Sequence, residues 1–400
     1  MLSRSLLPLL LILVLGDAYC HWRYLRRRSW WLRVCWWVPA LILTLWALLL
    51  LREPDFIPDN PDTLFLFLFL FFLLAAPTFV FALFDAIGLA LSRWWGRAAA
   101  CGRVAGIAVA LLAVAALCYG SFVGFRQFRV RHVQMAFADL PPAFHGYRII
   151  LFSDAHVGTL TGPRTQLLQQ AVDSINAQQA DMVVFAGDLQ NKRPDEIIPF
   201  MPLLGSITAT DGVFSVLGNH DHPMYVEADD HEQQHLLHQR MALDSLMRWH
   251  LLNNAHHIIR RGADSLVIAG MDNDGDGRRF PQLGHLQHTL HGIGPHAFVV
   301  MLEHDPTAWR RKILPQSHAQ LTLSGHTHGG QAALLGWTPA RLVYSEASGH
   351  YVEGQRHLYV TNGLGALLPF RLFQPSEIVV VTLRSSSARL LPKGRKKLET

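Results

Sequence analysis

Apolar residues fall in two different patterns along this chain. Up to about residue 123 they form long unbroken runs, Leu6 to Ala18, Val34 to Leu51, Leu64 to Phe84 and Val104 to Val123. A helix rises 1.5 Å per residue and needs about 20 apolar residues to cross the hydrocarbon of a bilayer. The pattern therefore predicts a bundle of about four transmembrane helices over residues 1–124. From Phe125 onward apolar residues come in short runs separated by turn residues and stripes of helical spacing, which predicts an α/β domain over 125–385. A basic tail, 386–400, closes the chain.

The first apolar run is the shortest. With one early arginine and a short apolar core, Met1 to Cys20 also reads as a signal peptide. The other runs carry interfacial aromatic residues at their ends, among them Trp22, Tyr24, Trp30, Trp31, Trp36, Trp37, Trp94 and Trp95, as expected of rings at headgroup depth. Arg23, Arg26, Arg27, Arg28 and Arg33 place the first loop on the cytoplasmic side, and the acidic Glu53–Asp62 loop lies outside. Arg93, Arg97 and Arg103 return the third loop inside. A multi-pass protein of the inner (cell) membrane follows, with everything after about Gly124 on the outer face. Arg126, Arg129 and Arg131 argue in the opposite direction.

Between residues 147 and 328 one arrangement recurs. The runs Tyr147–Phe152, Met182–Ala186, Gly212–Leu217, Ala297–Leu302 and Leu321–Leu323 have the length of buried strands. Each is followed at its C-terminal end by metal-ligating residue types: Asp154 and His156, Asp188, Asn219 and His220, His304, and His326 with His328. Open α/β sheets place their sites at strand C-termini. Helical patterns over Pro163–Gln179, Pro194–Leu204 and His231–Trp249 alternate with these strands, the last with its apolar stripe at Leu236, Leu237, Met241, Leu246 and Met247. Arg129–Ala136 reads as an edge strand and Leu266–Ala269 as a further one.

Asp154, His156, Asp188, Asn219, His304, His326 and His328 are too many ligands for one ion and suit two, with a carboxylate such as Asp188 able to bridge. No thiolate is among them, so the mixture suits catalytic Zn, Fe or Mn rather than structural zinc. Two cations sharing an oxygen ligand serve phosphoester hydrolysis. His220, beside Asn219, is placed to protonate the leaving alkoxide.

These blocks, Asp154-x-His156, Gly187-Asp188, Gly218-Asn219-His220-Asp221, His304 and Gly325-His326-x-His328, resemble in content and order the signature of the calcineurin-like metallophosphoesterases. The resemblance implies a four-layer αββα metallophosphoesterase sandwich. It also implies Asp154, His156, Asp188 and His328 at one metal and Asp188, Asn219, His304 and His326 at the other, with Asp188 as the bridge, His220 as proton donor, and a metal-bridging hydroxide as nucleophile. Manganese is the favoured ion. Ser153-Asp154-Ala155-His156, Gly325 to Gln331, and Asn362-Gly363-Leu364-Gly365 through Pro369–Phe373 resemble the membrane-associated bacterial branch, described as phosphodiesterases. Some relatives there cleave the pyrophosphate of a UDP-linked acylated glucosamine in lipid A synthesis.

Composition adjusts the picture at the margins. Half the 400 residues are hydrophobic and mean hydropathy is +0.19, an excess that belongs to the membrane part. Cys20, Cys35, Cys101 and Cys118 all lie in or beside that part, so no disulfide framework is predicted. The net charge of +5 comes largely from membrane flanks and from Lys393-Gly394-Arg395-Lys396-Lys397, and signals no nucleic-acid partner. The expected partners are a lipid bilayer and a phosphoester, lipid-linked substrates included. Asp272 to Gly277 imitates the start of a calcium loop, but its twelfth position is Leu283 and the loop reads as an acidic rim. His222, His231, His235 and His238 read as helix-surface residues, and Trp337, Tyr344 and Phe370 as core or pocket lining. The competing function classes are a metal-binding but inactive membrane sensor and a transporter. Against the transporter stands the near absence of charge within the apolar runs, Asp85 excepted.

Overall fold

The computed structural model describes residues 6–53, 57–276 and 280–386. The tail beyond 386, and with it the basic run at 393–397, lies outside the described residues, as does Gly277. The chain divides into two compact units: residues 1–125 with 225–227 and 367–373, and the remainder.

The first unit is helical. Its elements are α1 (Leu6–Cys20), α2 (Trp30–Leu50), α3 (Pro61–Leu91) and α4 (Ala98–Phe122). Three of these, α2, α3 and α4, are long and apolar enough to cross a membrane. The 15 described residues of α1 span about 22 Å, short of the ~30 Å hydrocarbon core. Among the described residues three helices thus meet the length for a span, consistent with the expected N-terminal membrane bundle. Asn60 caps α3 by accepting the Asp62 N–H at 2.9 Å, with Pro61 in the first turn where its missing N–H costs nothing. Asp85, the one acidic residue inside α3 away from its first turn, is fully buried. It accepts the Tyr19 and Tyr24 hydroxyls at 2.8 and 2.7 Å, with Arg23 and Arg103 at 3.7 and 3.9 Å.

The second unit contains β1 (Phe128–Phe137), β2 (Arg148–Phe152), α5 (Thr165–Ala177), β3 (Met182–Ala186), α6 (Met201–Leu204), β4 (Val213–Val216), α7 (Asp230–Leu246), β5 (His250–Leu251), β6 (Ala255–Arg261) and β7 (Asp264–Gly270). They are followed by β8 (Phe298–Leu302), β9 (Leu321–Ser324), β10 (Gly349–Glu353), β11 (Arg356–Val360) and β12 (Ser376–Ser385). Two six-stranded sheets result, ordered β1-β12-β2-β3-β4-β5 and β10-β11-β9-β8-β7-β6. Strands β2 to β5 are mutually parallel, as are β7, β8, β9 and β11. Antiparallel neighbours β12, β6 and β10 complete the sheets, and β1 runs parallel to β12 at one edge.

The strands read as continuous apolar runs because both faces are covered. Ile149, Leu151, Val184, Phe214, Ile268, Val300, Leu302 and Leu323 form one buried cluster between the sheets. On the far side of the second sheet Val267, Val299, Met301 and Leu358 pack against Leu286, Trp309 and Ile313. Helix α5 buries Leu167, Leu168, Ala171, Val172 and Ile175, the spacing expected of one helical face.

Helix α7 departs from its expected stripe. Its buried residues are Leu236, Arg240, Leu243 and Asp244, and Leu246 is exposed. The reason is electrostatic: Arg240 turns inward to a buried carboxylate, described below. The stretch Pro194–Leu204 forms short tight turns ending in α6 rather than one helix, as its prolines at 194, 199 and 202 require.

Candidate metal centre

The C-terminal ends of β2, β3, β4, β8 and β9 converge. Each strand is short and bound on both sides, so the residue after it leaves the sheet in a fixed direction. The backbone at these exits is unusual: Asp154, His156, Asp188, His326 and His328 all have positive φ, between 45° and 73°. Left-handed backbone at five non-glycine residues is strained and persists only where the surroundings over-determine it. It aims five side chains at one volume.

Ligand-type atoms come together there in three overlapping groups: Asp154, His156 and His328; His156, Asp188 and His220; Asp188, His304 and His326. The Asp188 carboxylate belongs to two of them. Its Oδ2 lies 3.1 Å from His304 Nε2 and 3.7 Å from His156 Nε2. His328 Nε2 lies 3.5 Å from Asp154 Oδ1, and His326 Nδ1 lies 2.9 Å from Asn219 Oδ1 and 3.3 Å from His304 Nε2. All eight residues singled out in the sequence therefore meet in one place. The His326-x-His328 pair divides, His328 beside Asp154 and His156, His326 beside Asn219 and His304.

Surrounding groups fix the imidazole orientations. His304 Nδ1 donates to the Ala186 carbonyl at 2.7 Å, which turns Nε2 toward Asp188. His156 Nδ1 donates to Asn191 Oδ1 at 3.1 Å, and His220 Nδ1 donates to the Asn191 carbonyl at 2.6 Å. The backbone N–H of His220 donates to Asp188 Oδ1 at 2.7 Å. The Asp154 carboxylate accepts the His326 N–H at 3.0 and 3.1 Å and the Ser153 hydroxyl. Tyr344 and Asp305 stand 3.0 and 3.6 Å from His326 Nε2.

Burial and charge set the protonation. Burial works to raise the Asp188 carboxyl, but the imidazoles of His304, His220 and His156 outweigh it and hold it well below the usual range. Burial raises Asp154, with the positive charge of His304 only partly offsetting it. His156 is pushed well below the ordinary imidazole value by burial and by the neighbouring His220, and burial likewise lowers His326. His304 moves the other way. Despite burial, Asp188 and Asp154 raise it to about 10.

The donor set fits divalent cations. It combines neutral imidazoles, carboxylates and an amide, with no thiolate. His156 Nε2 is buried without a hydrogen-bond partner and points into the cluster.

Behind the cluster lies a support the sequence reading passed over. Asp221 accepts the backbone N–H of Asp188 at 2.8 Å, of Leu189 at 3.1 Å and of Gly218 at 2.9 Å, so it joins the loops after β3 and β4. Arg240 Nε donates to Asp221 at 2.7 Å and its Nη1 pairs with Asp244 at 3.0 Å. Asn191, five residues past the end of β3, is a second such support, holding His156 and His220. Glu303, beside His304, accepts the Asp274 and Asp305 N–H groups at 2.9 and 3.2 Å.

His222 is no helix-surface residue: it precedes α7, is buried, and pairs with Asp272 at 2.7 Å. In the calcium-like stretch, Asp274 is neutralised by Arg311 at 3.1 Å and Lys312 at 2.9 Å, so this carboxylate is engaged by the protein's own cations.

Residues 147–330 match the family described as calcineurin-like phosphoesterase. The chain is 30% identical over 319 residues to a transmembrane protein with metallophosphoesterase domain from Danio rerio, covering 77% of this chain and 70% of the relative. It is 31% identical over 301 residues to the uncharacterized metallophosphoesterase YkuE of Bacillus subtilis, covering 69% of this chain and 94% of the relative. A Bos taurus transmembrane protein with metallophosphoesterase domain matches at 28% over 261 residues, 64% of this chain and 57% of the relative. The apolar helices and these transmembrane relatives point to membrane association. Two relatives matched at this identity over most of their own length, with the shared segment carrying the converging strand ends, make this chain a member of the calcineurin-like phosphoesterase family and imply a metal-dependent phosphoester hydrolase.

Proposed function

We propose that this protein is a membrane-anchored phosphodiesterase working with two divalent cations, manganese favoured, and that its catalytic domain faces the outside of the cell membrane. The single observation that carries the reading is Asp188, whose one carboxylate lies between the His156 side and the His304 side of the cluster. Asp154, His156 and His328 would hold one cation, Asn219, His304 and His326 the other, and Asp188 both. Cations held there supply charge neutralisation at a phosphoryl group and a water acidified enough to attack it at neutral pH.

The chain's own residues supply the rest. Asp188 stays ionised among three imidazoles and keeps its second oxygen oriented by the His220 N–H. His304 and His156 are turned by the Ala186 carbonyl and by Asn191, so each presents Nε2 to the cluster. His220, held through Nδ1 by the Asn191 carbonyl, has Nε2 as the nitrogen that carries a proton to the departing alkoxide. Such proton transfer contributes typically ~10²–10⁴-fold to rate.

The test is hydrolysis of bis(p-nitrophenyl) phosphate by the full chain in detergent, with manganese, iron or zinc supplied after chelation. Turnover that vanishes on chelation and returns with metal is expected. A wild type that binds two metals and turns over nothing would instead support a sensor. Protease access to a tag at Thr400 in intact cells reports the side of the membrane.

A further inference from the structure

Between the turn at His328–Gly330 and Tyr344 the second unit extends a loop whose large apolar side chains face solvent. Leu334, Leu335, Trp337, Leu342 and Val343 are all exposed, Leu335 at 100% and Leu342 at 78%. Single exposed leucines are ordinary, but such a group within ten residues marks a contact surface.

The loop is a built feature. Leu334 and Trp337 exchange backbone hydrogen bonds of 2.8 and 3.0 Å. Leu335 and Gly336 form the tip, both with positive φ, 51° and 80°. Glycine suits that conformation and asparagine tolerates it, whereas leucine is disfavoured there and gains nothing from full exposure. Turn formation therefore does not explain the residue at the tip.

Both roots of the loop touch the candidate metal centre. Thr338 Oγ1 donates to the Gly329 carbonyl at 2.6 Å, one residue after His328. At the other root the Tyr344 hydroxyl lies 3.0 Å from His326 Nε2. What the tip contacts is thus mechanically linked to the two histidines of the His-x-His pair.

The chemistry of the loop selects among partners. Residues 331–345 contain no acidic residue and one base, Arg341. Leucine and valine beside a tryptophan and an arginine match the layers of an anionic bilayer surface: acyl chains, headgroup level and phosphate. In the chain, only the short stretch 123–127 separates the membrane-length α4 from β1.

We infer that the 334–343 loop inserts into the surface of a lipid bilayer and thereby presents the centre to a phosphodiester carried by a membrane lipid. The second half of this inference rests on the phosphodiesterase reading; the first does not.

The full chain is reconstituted in phosphatidylcholine–phosphatidylglycerol vesicles, with Cys20, Cys35, Cys101 and Cys118 replaced by serine. A nitrobenzoxadiazole label goes on Leu335→Cys or, as a control on α5, on the exposed Gln170→Cys. Doxyl-labelled lipids should quench the label at 335 and leave the one at 170 untouched; equal quenching or none overturns insertion. In the second arm, Leu335→Asp/Leu342→Asp should cleave hexadecyl p-nitrophenyl phosphate in vesicles at least tenfold more slowly than wild type, with soluble bis(p-nitrophenyl) phosphate cleaved normally. Equal rates on the vesicle-borne diester overturn lipid presentation. A wild type inactive on both diesters defeats the phosphodiesterase reading, and quenching then decides the loop alone.

Discussion

Arg240 donates from Nε to Asp221 at 2.7 Å, and neither side chain is reached by solvent. The pair stands one layer behind the cluster, where Asp221 holds the Asp188, Leu189 and Gly218 amides. Removing one member of a buried pair strands the other charge, at a typical cost of about 3–5 kcal/mol. Arg240→Met should lower the midpoint of thermal unfolding by several degrees. At temperatures where the variant is folded, it should also bind manganese about 10–100-fold more weakly, as disturbed supports of metal ligands do. Calorimetry and metal titration check the two effects, and unchanged metal affinity in a folded variant would reduce Arg240 to a purely structural role.

The companion carboxylate makes stability pH-dependent. Burial raises Asp244 to about 6, with Asp221 adding to the effect and Arg240 opposing it. The native state thus retains a proton that the unfolded chain, at about 3.8, has released. Since stability falls with pH wherever the native state binds more protons, this group's contribution is full below about 4 and is lost as pH rises to about 6. The largest possible change is ~3 kcal/mol. Urea unfolding of wild type and Asp244→Asn between pH 4 and 7 should show this component of slope only in wild type.

His304 couples metal binding to proton release. In the metal-free protein its imidazole is raised to about 10 by Asp188 and Asp154 despite burial, so it is protonated at neutral pH. Its Nε2 must lose that proton to ligate. Apparent metal affinity should climb up to tenfold per pH unit from pH 7 toward 10, and calorimetry in buffers of different ionisation enthalpy should count about one released proton. A pH-independent affinity would mean that His304 does not ligate.

His220→Gln should separate chemistry from metal binding. The donor set keeps Asp188, His156, His304 and the others, so two metals should remain by elemental analysis. Turnover of a diester with a poor leaving group should fall ~10²–10⁴-fold. The loss should shrink with p-nitrophenolate, which departs without a proton. An equal loss on both substrates would argue against proton donation.

Gly218→Ala tests the packing between strand ends. A Cβ there would collide with the Asp188 carboxylate and lie 2.6 Å from the Asp188 amide. Backbone cannot yield as a flexible side chain can, so the loops must part. Loss of bound metal together with a lowered unfolding temperature is expected.

The converging strand ends were legible because buried parallel strands announce themselves as short apolar runs, and ligand-type residues followed each of the five. Strands β6, β10 and β11 were not, since they are polar or half exposed and lack that signature. The strongly apolar β12 was missed because no ligand-type residue follows it. Arg240 and Asp244 sit four apart on a helix, a spacing that ordinarily means a solvated ion pair. Only the tertiary placement of Asp221 turns them inward. Asn191 orients two histidines from a loop without periodicity, and nothing in its neighbours reveals that use.

The edge pairing of β1 with β12 imposes an order on biosynthesis. Strand β1 follows directly on the apolar helices, yet its hydrogen-bonding partner lies 248 positions later in the chain. During translation β1 leaves the ribosome long before β12 exists, and β12 is also the only neighbour of β2 on that side. The sheet carrying Asp154 and Asp188 therefore cannot close until β12, Ser376–Ser385, has left the ribosome. Closing so distant a contact is slow and leaves an unpaired strand edge exposed meanwhile. Nascent chains halted before residue 376 should be open to proteases across the second unit.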